Sequence, residues 1–356
     1  ASKTGGGEIV ILVATSGDTG KAALEGFRDV PGTKIIVFYP HGGVSAVQQA
    51  QMVTQEGGNV KVCAVRGNFD DTQTGVKRIF ASCDEEDLPG VRLSSANSIN
   101  IGRLAPQIVY YFKAYADLVR SGRIRVGDKV HFCVPTGNFG DILAGYYAKR
   151  MGLPVGKLVC ASNKNNVLTD FLTTGTYDAR RTFYKTTSPS MDILISSNLE
   201  RLLCHVSGSS EKVAGWMQEL NTTGKYTVDA ETLEKIRETF AAGYADDAEG
   251  AAEIKARFDE DHYLCDTHTA VAFRVAETVR TEAPMVVLST ASPFKFPRDV
   301  LAALGQQAPV SDFAAMAALT AKTGAEAPAS LSELDKLEVR FKTVLQPAEI
   351  RAAALR

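Results

Sequence analysis

Over the first hundred residues, short apolar runs alternate with stretches of helical period, and this alternation most restricts the fold. "IVILVAT" is followed by a helical stretch from Thr19 to Arg28, then by "KIIVFYP", by a helix around Val44 to Glu56, and by "NVKVCAV". Runs of this kind, apolar on both faces and separated by helices, are the signature of βαβ units and a parallel sheet. Gly57-Gly58 supplies a stop for the second helix, and Asp70 or Asp71 a cap for the third. The pattern resumes after residue 129 with "KVHFCVPTGNFGDILAGYYAKRMG" and "KLVCAS". Between these blocks, Arg103 to Arg120 reads as one core helix carrying Leu104, Ile108, Tyr111, Phe112, Tyr115 and Leu118 on its apolar face. Residues 199–282 read as mostly helical, with Trp216 in a solvated outer layer. The run "PMVVLST" then reads as a buried strand, and the tail after 305, with Pro309, Pro328 and Pro347, as peripheral helices and linkers.

Composition removes several function classes. A net charge of −2 over 356 residues offers no basic surface for nucleic acid. No apolar run approaches the roughly 20 residues that cross a bilayer, and the start "ASKTGGGE" has no signal-peptide core, so a cytoplasmic location is expected, without a membrane partner. The six cysteines, Cys63, Cys83, Cys133, Cys160, Cys204 and Cys265, lie at least 20 residues apart and read as reduced packing residues. His41, His131, His205 and His262 have no ligand spacing with carboxylates or cysteines, so no metal is expected.

What remains is the turns. "VATSGDTGKAAL", residues 13–24, has too short a glycine spacing for a nucleotide P-loop, and no G-x-G-x-x-G follows any strand. Thr15, Ser16, Gly17, Asp18 and Thr19 instead form a small turn at a helix N-terminus, suited to a carboxylate or a single phosphate. "TGNFGD" at 136–141 repeats the device, and a third strand ends in Ser289-Thr290. Such strand ends are where open α/β sheets place ligands. A third polar cluster, "SSANSINIGRLAPQ", sets Arg103 in the first turn of the long helix, where a cation opposes the helix dipole unless an anion is bound; a helix cap with a surface arginine explains it equally well. His268 in "DTHTAVAF" reads as a capping or core histidine before a catalytic acid.

Three motifs in order, "ATSGDTG", "SANSINIGR" with "APQ", and "PTGNFGD", resemble threonine synthase, a pyridoxal-phosphate enzyme of fold type II. "ASNKNNVLTDFLTTGTY", "SPSMDILISSNLERLL", "DTHTAVAF" and "LSTASPFKF" extend the resemblance from about residue 8 to about 305. It implies an α/β fold related to the tryptophan synthase β chain, with two open, twisted, mainly parallel sheets flanked by helices. It also implies a strand region at 1–14 belonging with the large domain, a small α/β domain at 15–110, a large cofactor-binding domain at 111–305, and a helical tail at 306–356. By the same resemblance, Gly137, Asn138, Phe139 and Gly140 match the loop for the pyridoxal 5′-phosphate phosphate, and Thr290 with Ser289 the contact to its ring nitrogen. Ser16, Gly17, Asp18 and Thr19 match the turn for the substrate carboxylate; Asp18 stands where many relatives have an asparagine that meets the ring hydroxyl. Asn97, Ser98 and Arg103 match a site for the phosphate of O-phospho-L-homoserine, to which Thr19 and Asp141 add polar contacts. The implied reaction is conversion of that substrate and water to L-threonine and phosphate.

The family's aldimine lysine lies in a phenylalanine-lysine-aspartate stretch that these 356 residues do not contain. Neither Lys3 nor Lys21 replaces it by position. The expectation is a truncated, inactive chain whose uncovered sheet edge a homodimer would hide. A phospho-lyase yielding 2-oxobutyrate and a non-catalytic anion-binding fragment are the alternatives. A cysteine synthase is disfavoured because it needs no second phosphate site.

Overall fold

The computed structural model describes residues 7–15, 17–82, 90–279 and 282–355. Its strands in chain order are β1 (Glu8–Ala14), β2 (Thr33–Pro40), β3 (Val60–Val65), β4 (Val91–Ser95), β5 (Val130–Pro135), β6 (Val155–Ser162), β7 (Thr176–Asp178), β8 (Lys225–Thr227), β9 (Phe240–Tyr244), β10 (Met285–Val287) and β11 (Val344–Leu345). They make two parallel sheets, ordered β11-β3-β2-β1-β4 and β10-β5-β6-β9, and an antiparallel β7-β8 pair. The chain divides into two compact units. The first takes residues 1–100, 294–298 and 309–356, and the second residues 101–293 and 299–308.

In the first unit the central strands are buried on both faces, as their continuous apolar runs require. Ile11, Val13, Ile35, Val37 and Val62 pack one face, and Val10, Leu12, Ile36, Phe38 and Cys63 the other. Residues 8–14 were expected with the large domain. β1 instead sits inside the first sheet, paired with β2 from Ile9↔Thr33 to Ala14↔Phe38 and with β4 from Glu8↔Val91 to Leu12↔Ser95. The C-terminal tail also belongs here, since β11 adds to β3 and Ile350 packs against Gly75 and the helix Phe69–Ser82. That helix is capped by Asn68, not by Asp70 or Asp71: Asn68 Oδ1 accepts from the Asp71 N–H and Asp71 Oδ2 from the Asn68 N–H.

In the second unit the stretch 103–120 is not one helix. A short helix Ile101–Leu104 passes through a 3₁₀ turn at Ala105–Gln107, holding Pro106, into the helix Ile108–Arg120. Only Leu104, Tyr111 and Tyr115 of its apolar face are buried, and Phe112 is exposed. Trp216 is not in a solvated layer. Its helix, Ser210–Thr223, lays the indole beside Tyr226, which stacks on Tyr177 at 5.3 Å between ring centroids. β10 is an edge strand of intermediate exposure, shorter and less buried than its sequence suggests. Among the described cysteines all are unpaired; Cys204 is exposed, unlike the buried Cys63, Cys133, Cys160 and Cys265. No described helix is long and apolar enough to cross a membrane, and no described group of His, Cys, Asp and Glu could hold a metal ion.

Candidate functional site

The turn after β1 is organised by Thr15. Its Oγ1 accepts from the N–H of Gly17 and of Gly20, each at 2.9 Å, tying the strand end to the first turn of the helix Asp18–Phe27. Gly17 has φ of 141°, open only to glycine, and an added Cβ would lie 2.5 Å from the Gln48 side chain. Gln48 Nε2 donates to Asp18 Oδ1 at 3.1 Å, and Lys295 Nζ lies 2.9 Å from the same oxygen. Asp18 is therefore ion-paired, in the helix turn where a carboxylate is favoured. Lys295 and Gln48 received no role from sequence reasoning. "SPFKF" marked the lysine's neighbourhood, but only the fold brings residue 295 to residue 18. Ser16 lies outside the described residues.

Asn97 follows β4 at the same end of this sheet. Its carboxamide accepts from the Ala14 N–H at 3.2 Å and donates to the Ala14 carbonyl at 2.5 Å, so it brackets the end of β1. Asn97 and Ser98 belong to the first unit, as Gly17, Asp18 and Thr19 do; Arg103 and Asp141 belong to the second. Arg103 is the third residue of the short helix Ile101–Leu104, half-buried, and burial lowers its pKa from the usual value against an opposing effect of Tyr110. The conflict with a long helix's dipole that its position suggested does not arise, because the helix ends one residue later.

The second turn is the more fully built. β5 ends at Pro135, and the chain passes through Thr136, Gly137 and Asn138 to Phe139, which holds a left-handed φ of 63° just before the helix Gly140–Arg150. A bulky residue in that region carries strain, here held by burial of the ring against Phe240. The Gly137 carbonyl accepts from Ser196 Oγ at 3.0 Å, and the Asn138 carbonyl from Asn198 Nδ2 at 3.1 Å. Among the described residues no hydrogen bond is made by the N–H of Gly137, Asn138 or Phe139, while Asn138 Oδ1 takes the N–H of Gly140. The loop thus fixes its carbonyls and leaves N–H groups at a helix N-terminus, an arrangement that suits a phosphate. Among the described residues Asn198 Oδ1, buried beside it, has no hydrogen-bond partner. A Cβ on Gly137 would meet Ser190 O, Met191 Cα and Ile193 Cδ1 at 3.1 Å, so the facing segment would have to give by a few tenths of an ångström to admit a side chain.

β10 lies beside β5 in parallel register, Val287 opposite Cys133, which sets Ser289 and Thr290 at the same sheet end as Gly137. Both are exposed. Asp141, in the first turn of the helix Gly140–Arg150, accepts from the Tyr111 hydroxyl at its carbonyl (2.7 Å) and at Oδ1 (3.2 Å). Burial pushes its carboxyl up to about 6, against the Tyr111 hydrogen bond, so it holds its proton in mildly acidic solution and is mostly ionised at neutral pH. His268, read as a capping or core histidine, is buried and hydrogen-bonded to Asp266, as expected of a satisfied histidine.

Comparison with known proteins identifies the relatives of the chain. A family model described as threonine synthase, C-terminal, matches residues 269–353. Threonine synthase-like 1 from Pongo abelii is 44% identical over 313 residues, covering 83% of this chain and 41% of that protein. Threonine synthase from Pseudomonas aeruginosa is 43% identical over 307 residues, covering 85% of this chain and 64% of that protein. A crystal structure of PLP-bound threonine synthase from Brucella melitensis superposes with a TM-score of 0.84 at 41% identity, covering 98% of this chain and 70% of that one. The chain belongs to the threonine synthase family. It shares the fold type II architecture of these pyridoxal-phosphate enzymes, as the two parallel sheets require. The member described here spans about two fifths to two thirds of the length of the curated relatives compared.

Proposed function

We propose that this chain carries the cofactor- and substrate-binding scaffold of a threonine synthase that converts O-phospho-L-homoserine and water to L-threonine and phosphate. The observation that carries the reading is the 136–140 loop, with its carbonyls tied back, its N–H groups free of described protein acceptors and its left-handed Phe139 opening a helix. Its residues fit the phosphate of pyridoxal 5′-phosphate, and the partnerless Asn198 Oδ1 marks a buried polar environment around it. When bound, the cofactor supplies an electron sink for negative charge at the substrate carbons next to the amino group.

The remaining work falls to side chains and backbone of the chain itself. Gly137, Asn138, Phe139 and Gly140 hold the cofactor phosphate, and Ser289 and Thr290 offer uncharged hydroxyls to the ring nitrogen. Gly17 and Thr19, with Ser16, receive the substrate carboxylate at a helix N-terminus, and Asp18 is kept from repelling it by Lys295. Arg103 takes the substrate phosphate. A guanidinium engages two phosphate oxygens at once, both orienting the leaving group and offsetting its charge as it departs. Asn97 keeps the strand end in place, and Asp141 donates rather than repels only where it is protonated, below about pH 6.

The proton-transferring lysine of the family has no motif match in these 356 residues, so we expect binding without turnover from this chain alone. The experiment is to mix the chain, and a version extended to the length of the Brucella relative, with pyridoxal 5′-phosphate. Absorbance is then recorded and intact mass measured after borohydride reduction. The reading requires saturable binding by both and a reduced adduct on the longer form; absence of binding by either overturns it. Product analysis of the longer form separates threonine from the alternative outcome for the same site, elimination to 2-oxobutyrate.

A further inference from the structure

Behind the 136–140 loop runs the segment 186–198, and its hydrogen bonds reach further than cofactor chemistry demands. Asn163 Nδ2 donates to Ser188 Oγ (3.0 Å) and Asp192 Oδ1 (2.8 Å), and Asn165 Nδ2 to Asp192 Oδ1 (2.9 Å), so the segment is pinned to the end of β6. At its centre the Ser190 N–H donates to His268 Nε2 at 3.2 Å. A backbone N–H can only donate, so Nε2 must carry a lone pair and the proton of a neutral imidazole sits on Nδ1. Nδ1 lies 2.9 Å from Asp266 Oδ1. Asp266 also accepts from the N–H of His268 (2.8 Å) and of Thr269 (3.4 Å) and from Thr269 Oγ1, which leaves it ionised and fixed, with both groups almost wholly buried. The chain of contacts is thus Asp266, His268, Ser190, Gly137.

A helix cap accounts for the Asp266 contacts to the backbone N–H groups of 268 and 269. It does not account for the imidazole bridging to a loop 78 residues away, whose Ser190 carbonyl and Met191 Cα press against Gly137. We propose that the Asp266–His268 pair is a positioning device for the phosphate cradle: Asp266 fixes the imidazole's tautomer, and the imidazole fixes the Ser190–Met191 turn that backs Gly137. Neither residue touches the ligand. The inference rests on the proposed reading of the 136–140 loop as a phosphate site.

Two replacements separate positioning from capping, because each keeps one ring nitrogen's place. His268→Gln carries an amide oxygen to the Nε2 position, where it accepts the Ser190 N–H. His268→Asn offers an amide at the Nδ1 position for Asp266 but does not reach Ser190. The probes are pyridoxal 5′-phosphate and pyridoxal, which differ only in the phosphate, with dissociation constants measured by equilibrium dialysis on the 356-residue chain. Hydrogen exchange across 186–198 is followed alongside. The expected result is that His268→Asn weakens pyridoxal 5′-phosphate about tenfold, the worth of one hydrogen bond, leaves pyridoxal nearly unchanged and speeds exchange at Ser190. His268→Gln restores both. Equal loss of the two ligands in both variants, or an unchanged phosphate preference in His268→Asn, overturns the positioning role. A parent chain that binds pyridoxal as tightly as its phosphate overturns instead the reading of the loop.

Discussion

At the scale of single residues, the site holds groups in states they do not take in water. Asp141 is the clearest. Its carboxyl is pushed up to about 6 by burial, so between about pH 4 and 6 the folded chain keeps a proton that the unfolded chain has released. Stability conferred by the rest of the fold is therefore eroded as pH rises through that window, and the penalty is complete above it. Asp141→Asn keeps an acceptor for Tyr111 and removes the charge. Urea denaturation at pH 7 should show the variant more stable by on the order of 2 kcal/mol, with the difference vanishing near pH 4. Parallel pH profiles for the two proteins would refute the assignment. Gly17 is constrained differently, by backbone. Gly17→Ala places a methyl group against the Gln48 amide at a φ of 141°, and a loss of roughly 1–3 kcal/mol is expected in the same denaturation experiment. Arg103→Ala tests the substrate phosphate. In the longer form it should raise KM for O-phospho-L-homoserine at least about tenfold while the affinity for pyridoxal 5′-phosphate holds; equal losses in both would remove Arg103 from that role.

At the scale of elements, Trp216 shows where the sequence misled. The helix Ser210–Thr223 is polar over most of its length, and its one aromatic residue looks incidental. The stack of Tyr177 on Tyr226, supplied by the two short strands β7 and β8 that no period-2 run announces, gives the indole a surface to cover. Trp216→Ala should cost about 3–5 kcal/mol, as deletion of a buried aromatic does, and a loss under 1 kcal/mol in chemical denaturation would return Trp216 to the surface. The strands β1, β2, β3, β5 and β6 were legible because a strand buried on both faces must be apolar throughout. β9, with the small-residue run "FAAGY", lacked that signal, whereas β10 carried it without the burial it implies, being three residues long at a sheet edge. The break at 105–107 was legible in principle from Pro106, but helical spacing on both sides of it masked the stop. Of the site, the glycine turns could be read from spacing. Lys295, Gln48, Ser196 and Asn198 could not, because each meets its partner only through tertiary pairing across 30 to 277 residues.

At the scale of the whole molecule, the first unit is assembled from three separated stretches of chain, residues 1–100, 294–298 and 309–356. β11 closes the β3 edge with the Ala64 N–H and Arg66 N–H donating to the carbonyls of Thr343 and Leu345, and Arg340 ties the return to Val53. The order of synthesis turns this into a matter of timing. The four strands β1 to β4 leave the ribosome before the second unit, but the residue that neutralises Asp18 emerges only after most of that unit and the strand that covers β3 only after all of it. At about 5–20 residues per second that delay is roughly half a minute at intermediate speeds. During it, β3 stands as an open edge of alternating donors and acceptors, ready to pair with another nascent copy. The long-range closure that completes the unit is also what leaves its newborn form most exposed to mispairing.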